Sequence, residues 1–372
     1  MRRLLALLLV VTACSAPLPP RSAVTTPPPV PATLTAPTGE HPVGTAVLHL
    51  TDRSRPDPWN LDAEARELKV TLWYPGERAG GERAAYMTPE ESELVLKGSR
   101  VESARPDILS RTAVYATTTT PAPGKFPLVI LSPGFTKPVS TLTSLAEDLA
   151  SRGYVVAGID HTYESYATTL ADGTVAGCLA CDSDTDPGFG TATARSRAAD
   201  VSFVLDELLS TRDEIDASRI AMAGQSIGGA SALAAMAADR RIDAGVNLDG
   251  TTYARLPRDF ARPFLFVGTP QHISGGRDTS WDRDWKLLTG WKRWLVVQGT
   301  DHQSFTDLPQ LAGALGMRQP PGTPSAARLA DITRTYVAAF LDEHLKSHLQ
   351  PLLKGASSSY PEIAFCPDTC GA

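Results

Sequence analysis

The sequence predicts an α/β fold, with a mostly parallel central sheet and helices on both of its faces. Three observations predict this class. Short apolar runs typical of buried parallel strands alternate with helical patterns over most of the chain. Two earlier runs indicate an antiparallel beginning to the sheet. A Gly-x-Ser-x-Gly segment stands between an apolar run and an alanine-rich helical pattern, which predicts a strand, a sharp turn and a helix.

The predicted elements follow one another in a simple order. The antiparallel pair covers residues 43–50 and 68–74, with the charged residues 52–66 between the two strands. The later strands are short, apolar and of the buried parallel type: 128–131, 154–159, 220–223, 244–248, 264–267 and 294–297. Helical patterns separate most of them, at 141–152, 194–209, 229–238 and 326–345. Because the carboxyl ends of parallel strands meet at one edge of a sheet, functional groups are expected on loops at that edge.

The beginning of the chain predicts export and attachment to a membrane. Residues 1–13 combine a basic start with an apolar run too short to span a bilayer, as in a secretory signal peptide. The small residues that end at Cys14 resemble a bacterial lipobox, so we expect Cys14 to be lipidated and to begin the mature chain. A plain signal peptide and a secreted protein are the alternative. Residues 14–40 are rich in Pro and Thr and predict an extended linker, which leaves 41–372 as one folded domain.

The remaining cysteines predict disulfides. Cys178, Cys181, Cys366 and Cys370 form an even set, and export favours their oxidation. A zinc site is the alternative, but neither pair has histidines nearby. Local pairing would close a loop and the C-terminal tail, whereas crossed pairing would join the tail to the loop, and the sequence leaves both open. The net charge of −6 comes without a basic cluster, so nucleic acid is excluded as a partner.

Ser226 is the candidate nucleophile. It stands at the centre of Gly224-Gln225-Ser226-Ile227-Gly228. A serine on a strained turn between strand and helix needs glycine on both sides, because the helix packs too closely on the strand to leave room for side chains. An ordinary turn with small residues is the alternative. Rejecting it requires a base, an acid and an oxyanion hole at suitable places.

His302 is the candidate base among seven histidines. It follows the strand 294–297 in the loop ahead of the last long helix, which is where an α/β-hydrolase carries its histidine. His161 and His272 also follow predicted strands and remain possible. The other histidines precede the core strands or lie at the last helix, where a solvated surface role is expected.

Asp249 is the candidate acid. The strand 264–267, after which such an acid usually comes, ends without a carboxylate. Asp249 ends the preceding strand and can reach the same imidazole from one strand over. A turn aspartate ahead of glycine is the ordinary alternative. The candidate oxyanion donors are the backbone N–H groups of Ile227, after the serine, and of Phe135, in the loop after the strand 128–131.

Together these motifs resemble the platelet-activating factor acetylhydrolase family, isoform II, within the α/β-hydrolases. The resemblance covers about residues 127–307 and rests on three segments: Gly224-Gln225-Ser226-Ile227-Gly228-Gly229-Ala230, Leu248-Asp249 and His302-Gln303-Ser304-Phe305-Thr306-Asp307. Two positions depart from the family. Gln225 stands where histidine is common, and Pro133-Gly134 stands where His-Gly is common. The second departure bears on the oxyanion geometry and the acyl preference.

The resemblance implies a catalytic domain at 41–372 with the activity of a serine-dependent carboxylic ester hydrolase. Such an enzyme forms an acyl-enzyme and needs neither a metal nor an organic cofactor. Its expected substrates are short-acyl or lipid-like esters, in the manner of a 1-alkyl-2-acetylglycerophosphocholine esterase. An extracytoplasmic esterase for non-lipid, polyester-like or xenobiotic esters is the alternative within enzymes. A non-catalytic binding lipoprotein with a hydrolase fold is the alternative from another class. The sequence leaves the oligomeric state open.

Overall fold

A computed structural model describes residues 30–253, 255–257 and 259–367. Its main sheet has nine strands in the order β1-β2-β4-β3-β7-β8-β9-β10-β11, and a small hairpin pairs β5 with β6. The strands are β1 Val43–Asp52, β2 Arg66–Pro75, β3 Phe126–Ser132, β4 Val155–His161, β5 Thr168–Thr169, β6 Val175–Ala176, β7 Ile215–Gln225, β8 Ala244–Leu248, β9 Phe264–Gly268, β10 Lys292–Val297 and β11 Ile363–Cys366. The α-helices are α1 Pro89–Gly98, α2 Thr143–Ser151, α3 Phe189–Thr211, α4 Ile227–Ala238, α5 Ser280–Trp285, α6 Leu308–Leu311 and α7 Ala326–Leu345.

The sheet is antiparallel at its edges and parallel at its centre. β1 pairs with β2 along its whole length, and β2 then pairs antiparallel with β4. The central strands β4, β3, β7, β8, β9 and β10 are parallel to one another. β11, which the sequence did not predict, closes the far edge antiparallel to β10. The predicted mostly parallel sheet is therefore confirmed.

Helices cover both faces because side chains alternate along each buried strand. In β3, Val129 and Leu131 belong to a core that includes side chains of α2 and α7. Leu128 and Ile130 of the same strand belong to a second core, shared with side chains of α3 and α4. A sheet that is apolar on both faces has to be covered twice, which is the arrangement that the continuous apolar runs predicted.

One predicted disulfide lies within the described part of the chain. Cys178 and Cys181 are bonded to each other, which is the local pairing. Cys366 is also disulfide-bonded. Cys14, Cys370, the predicted signal peptide 1–13 and most of the predicted linker lie outside the described residues. Among the helices of the described ranges, none is both long enough and apolar enough to cross a membrane.

Candidate active site

Ser226 sits on a strained turn between β7 and α4. Its backbone angles are φ 56° and ψ −126°, a conformation that residues with side chains rarely adopt. A Cβ on Gly224 would lie 2.3 Å from the carbonyl carbon of Gly228, and a Cβ on Gly228 would lie 2.0 Å from the carbonyl oxygen of Ser132. Residues 224 and 228 must therefore be glycine, because the helix packs too closely on the strand to leave room for a side chain.

The structure brings Ser226, His302 and Asp249 into one hydrogen-bonded chain. His302 Nε2 lies 2.9 Å from Ser226 Oγ, and His302 Nδ1 lies 2.6 Å from Asp249 Oδ2. A carboxylate only accepts hydrogen bonds, so Nδ1 carries the proton and Nε2 is free to accept from the serine hydroxyl. The side chain of His302 is 46% exposed and that of Asp249 only 3%. The base therefore faces the solvent and the acid lies behind it.

Asp249 is held by three hydrogen bonds where β8 ends. Besides His302, its carboxylate accepts from the Thr269 N–H at 2.7 Å and from His272 Nδ1 at 2.8 Å. Burial opposes the charged form, but hydrogen bonds from His272 and His302 outweigh it and lower the pKa of Asp249 to about 2. Asp249 is thus an anion across the range in which proteins work.

His272, one of the two other possible bases, contacts the acid and not the serine. Its Nδ1 faces Asp249 and its Nε2 lies 3.1 Å from Asp278 Oδ2. Burial disfavours the charged ring, but the hydrogen bonds to the two carboxylates prevail and raise the pKa of His272 to about 9. The sequence offered one signal for this role, since His272 follows β9, the strand after which an acid was sought.

The two candidate oxyanion donors lie close to Ser226. Ile227 is the first residue of α4, so its N–H has no acceptor within the helix. The N–H of Phe135 makes no hydrogen bond within the described ranges of the chain. The loop that carries Phe135 closely approaches the turn at Ser226. A Cβ on Gly134 would lie 2.4 Å from Gln225 Oε1 and 3.4 Å from Ser226 Cβ. Pro133-Gly134 therefore fits this approach without the family's histidine.

Gln225 joins the nucleophile's turn to the loop of the base. Its side-chain Nε2 donates to the carbonyl oxygen of His302 at 2.8 Å, and the residue is almost completely buried. The amide of Gln225 therefore holds the two loops together, and it does not exchange a proton in the reaction.

A second Ser–His–Asp chain lies next to residues 133–135, the loop after β3 that carries Phe135 and is called the oxyanion loop below. Ser132 Oγ lies 2.9 Å from His161 Nε2, and His161 Nδ1 lies 2.7 Å from Asp200 Oδ2. Arg197 donates to Ser132 Oγ at 3.1 Å and to the carbonyl of Pro133. All of these side chains are buried, and burial lowers the pKa of His161. His161, the other possible base, therefore supports the loop and is out of reach of a substrate.

The chain matches the family described as "Platelet-activating factor acetylhydrolase, isoform II" over residues 33–175 and 191–351. It belongs to this family. The resemblance expected from the three sequence segments is thereby confirmed, and the match extends well beyond them. The match omits residues 176–190, which contain the bonded Cys178 and Cys181.

Named relatives of this family member are esterases and acetylhydrolases. A probable 1-alkyl-2-acetylglycerophosphocholine esterase of Arthroderma benhamiae is 30% identical over 64% of this chain and 66% of its own length. The platelet-activating factor acetylhydrolase of Canis lupus familiaris is 26% identical over 51% of this chain and 50% of its own length. The chain thus spans about half to two thirds of these relatives. A solved structure, a ferulic acid esterase from Streptomyces cinnamoneus, matches with a TM-score of 0.84 and 43% identity, over 91% of this chain and 100% of that one.

Aromatic rings flank the oxyanion loop of this acetylhydrolase family member. Phe135 and Phe189 meet with ring centroids 5.0 Å apart, and Phe189 and Trp59 with centroids 5.5 Å apart. All three side chains are half-buried, so part of their apolar surface is exposed beside this loop. Across the described ranges, no group of three or more His, Cys, Asp or Glu side chains is arranged to hold a metal ion.

Proposed function

We propose that this chain is a serine-dependent carboxylic ester hydrolase that works through an acyl-enzyme. The observation that carries the proposal is the continuous hydrogen-bonded chain from Ser226 through His302 to Asp249, with the serine on a strained turn between β7 and α4. Membership of a family whose named relatives are esterases supports the reaction class independently.

Acylation begins when Ser226 Oγ attacks the ester carbonyl carbon and its proton passes to His302 Nε2. The carbonyl oxygen becomes an oxyanion, and the N–H groups of Ile227 and Phe135 stabilise it. Asp249 remains an anion and stabilises the His302 imidazolium. The tetrahedral intermediate collapses when the C–O bond to the alcohol breaks and His302 returns its proton to the leaving oxygen.

Deacylation repeats these steps with water. His302, again neutral, takes a proton from a water molecule while the oxygen of that water attacks the acyl carbon. The acid then leaves as Ser226 Oγ regains the proton. No step draws on a group beyond the side chains and backbone N–H groups already described.

We propose short-acyl or lipid-like esters as substrates, with a non-lipid ester as a second candidate. The acetylhydrolase family supports the first class. The ferulic acid esterase supports the second, because this chain covers its whole length at 43% identity. The apolar rings of Phe135, Phe189 and Trp59 suit either an acyl chain or an aromatic acid.

We also propose that the protein is exported and tethered to a membrane through lipidated Cys14. The support comes from the signal-like residues 1–13 and the Pro- and Thr-rich residues that follow. A tether would keep the enzyme near hydrophobic esters. Mass spectrometry of the N-terminal peptide of the full-length protein, expressed in a bacterium that processes lipoproteins, should find a diacylglyceryl group on Cys14.

Hydrolysis of p-nitrophenyl esters of increasing chain length, and of methyl ferulate, tests the reaction and its substrate class. We expect the full chain to hydrolyse at least one ester and Ser226→Ala to lose about 10³-fold or more in kcat, because the nucleophile is gone. Equal rates for both proteins would contradict the Ser226 assignment, and no hydrolysis of any ester would favour the binding lipoprotein. A steep fall beyond acetyl or butyryl favours a short-acyl site, and preference for the ferulate favours the second class.

A further inference from the structure

His272 is held in a way that only its charged form can satisfy. Its two ring nitrogens lie 2.8 Å from Asp249 Oδ1 and 3.1 Å from Asp278 Oδ2. Carboxylates accept hydrogen bonds and do not donate them when ionised. A neutral imidazole has one N–H and would leave one nitrogen lone pair facing a carboxylate, whereas an imidazolium donates to both.

The contacts of the His272 ring favour its cation. Its ring stacks on Trp281 at 4.3 Å between centroids and 18° between planes, a contact that suits a cation over an aromatic face. Trp294 donates its indole N–H to the His272 carbonyl and fixes the backbone. Asp278 is itself fixed by the hydroxyl of Thr251 and the N–H of Ser280. The charged groups that act on the ring are Asp249 and Asp278, and burial alone opposes them.

We propose that His272 is a positioning residue that is protonated at neutral pH, orients Asp249 and weakens the attraction between Asp249 and the His302 imidazolium. The inference rests on the proposed function, in which His302 is the base. Asp249 uses Oδ1 for His272 and Oδ2 for His302, so its single negative charge is shared between two rings. Because the His272 cation partly neutralises the Asp249 charge, Asp249 attracts the His302 imidazolium less strongly. The two imidazolium rings also repel each other.

The direction of the effect follows from that sharing. With His272 charged, Asp249 attracts the His302 imidazolium less than it would alone. Removing the His272 charge should return the full Asp249 charge to His302. The acid limb of the kcat/KM profile, which reports the protonation of the free enzyme's base, would then move to higher pH.

The test compares pH profiles of kcat/KM for the full chain and three variants on the ester that it hydrolyses best. His272→Asn keeps a neutral donor at the Nδ1 position, and we expect its acid limb to rise by about one pH unit. His272→Phe keeps the stacked ring but no donor, so we expect the same rise and an alkaline plateau at least about 10-fold lower, because Asp249 loses its orientation. His344→Asn is the matched control, because His344 also packs on a tryptophan, Trp291, and has no hydrogen bond to a carboxylate within the described ranges.

An acid limb that does not move in His272→Asn would overturn the proposal. A second measurement does not depend on activity. The ¹⁵N NMR signals of labelled histidine in the full chain should include one ring, absent from the His272→Phe spectrum, with both nitrogens protonated at pH 8. A neutral ring there would also overturn the proposal. Loss of hydrolysis by Ser226→Ala together with a neutral His272 would leave the proposed function intact and reject this inference alone.

Discussion

Backbone contacts of a few residues place Asp249, at the end of β8, near His302, in the loop after β10. Its backbone has a positive φ of 59°, which turns the chain sharply where the strand ends. The next residue passes close to the backbone of Ser226, because a Cβ on Gly250 would lie 2.0 Å from the carbonyl oxygen of Ser226. The N–H of Ser226 donates to the carbonyl of Leu248 at 2.8 Å, so the ends of β7 and β8 are locked together. Serine and acid are therefore placed by the same few backbone contacts.

Asp249→Asn should lower kcat by about 10⁴-fold. The amide can donate to His302 Nδ1, which would place the proton of the ring on Nε2 and leave no lone pair for the serine. Stopped or continuous assays with a short-chain ester measure the loss. Asp301→Asn is the matched control, because Asp301 is exposed, directly precedes His302 and makes its hydrogen bonds to Gln303 and Ser304. A large loss in Asp301→Asn and a small one in Asp249→Asn would reverse the assignment.

At the scale of elements, sequence patterns predicted the strand centres well and their ends less well. β7 begins at Ile215 and not at residue 220, because its first residues pair with Phe126 and Pro127 across an irregularity in register. Polar residues in that stretch hide the strand from a hydrophobic pattern. α3 begins at Phe189, before the predicted 194, because Gly188 in a left-handed conformation starts it and apolar periodicity appears only later. The short edge strand β11 depends on its pairing with β10, which local sequence cannot reveal.

The same limit applies to the site. The positions of Ser226, Asp249 and His302 at the ends of strands were predictable, because the Gly-x-Ser-x-Gly turn and the strand ends leave a local signal. The charge on His272 and the network under the oxyanion loop were not. Arg197 on α3, for example, donates to Ser132 at the end of β3 and to Glu164, far away in the sequence. Such partners are known only once the elements have packed.

The oxyanion loop should lose its geometry when its support from α3 is removed. Arg197 donates to the carbonyl of Pro133, which fixes the peptide ahead of Gly134 and Phe135. Arg197→Met should therefore lower kcat by about 10²-fold, comparable to the loss of one oxyanion donor, with little change in KM. Steady-state kinetics on the best ester measure both constants. Arg195→Met, on the exposed side of the same helix, is the control and should stay near wild type. An unchanged kcat in Arg197→Met would mean that the loop holds its shape without this support.

At the scale of the whole molecule, buried charges differ in how well they are compensated. Arg66 pairs with Asp57, Glu164 and Asp200, so that network contains both signs. Within the described ranges, Glu147 makes no ion pair. One of its oxygens accepts the N–H groups of Tyr115 and Ala116 at 2.8 and 2.6 Å, and the other has no hydrogen-bond partner in the described part of the chain. Glu147 also lines a cavity of about 380 Å³ beside β1 and β2.

Glu147 should make the stability of the fold fall as pH rises. Burial outweighs the two backbone hydrogen bonds and raises the pKa of Glu147 from 4.5 to about 7. Below about pH 4.5 both the folded and unfolded states are protonated here, and the full contribution to stability is present. Between about 4.5 and 7 the unfolded state ionises first, so the free energy of unfolding drops by up to about 3 kcal/mol.

Glu147→Gln cannot ionise, and its carbonyl oxygen can still accept from Tyr115 and Ala116. We expect urea unfolding of the full chain to give this variant a free energy of unfolding close to wild type at pH 4.5 and about 2 to 3 kcal/mol higher at pH 8. Glu93→Gln, on the exposed face of α1, is the matched control and should change little at either pH. If the Glu147→Gln difference were the same at both pH values, a lost or gained contact would explain it, and ionisation of this carboxyl would not. A gain confined to high pH would instead show that the ionised carboxylate of Glu147 destabilises the fold.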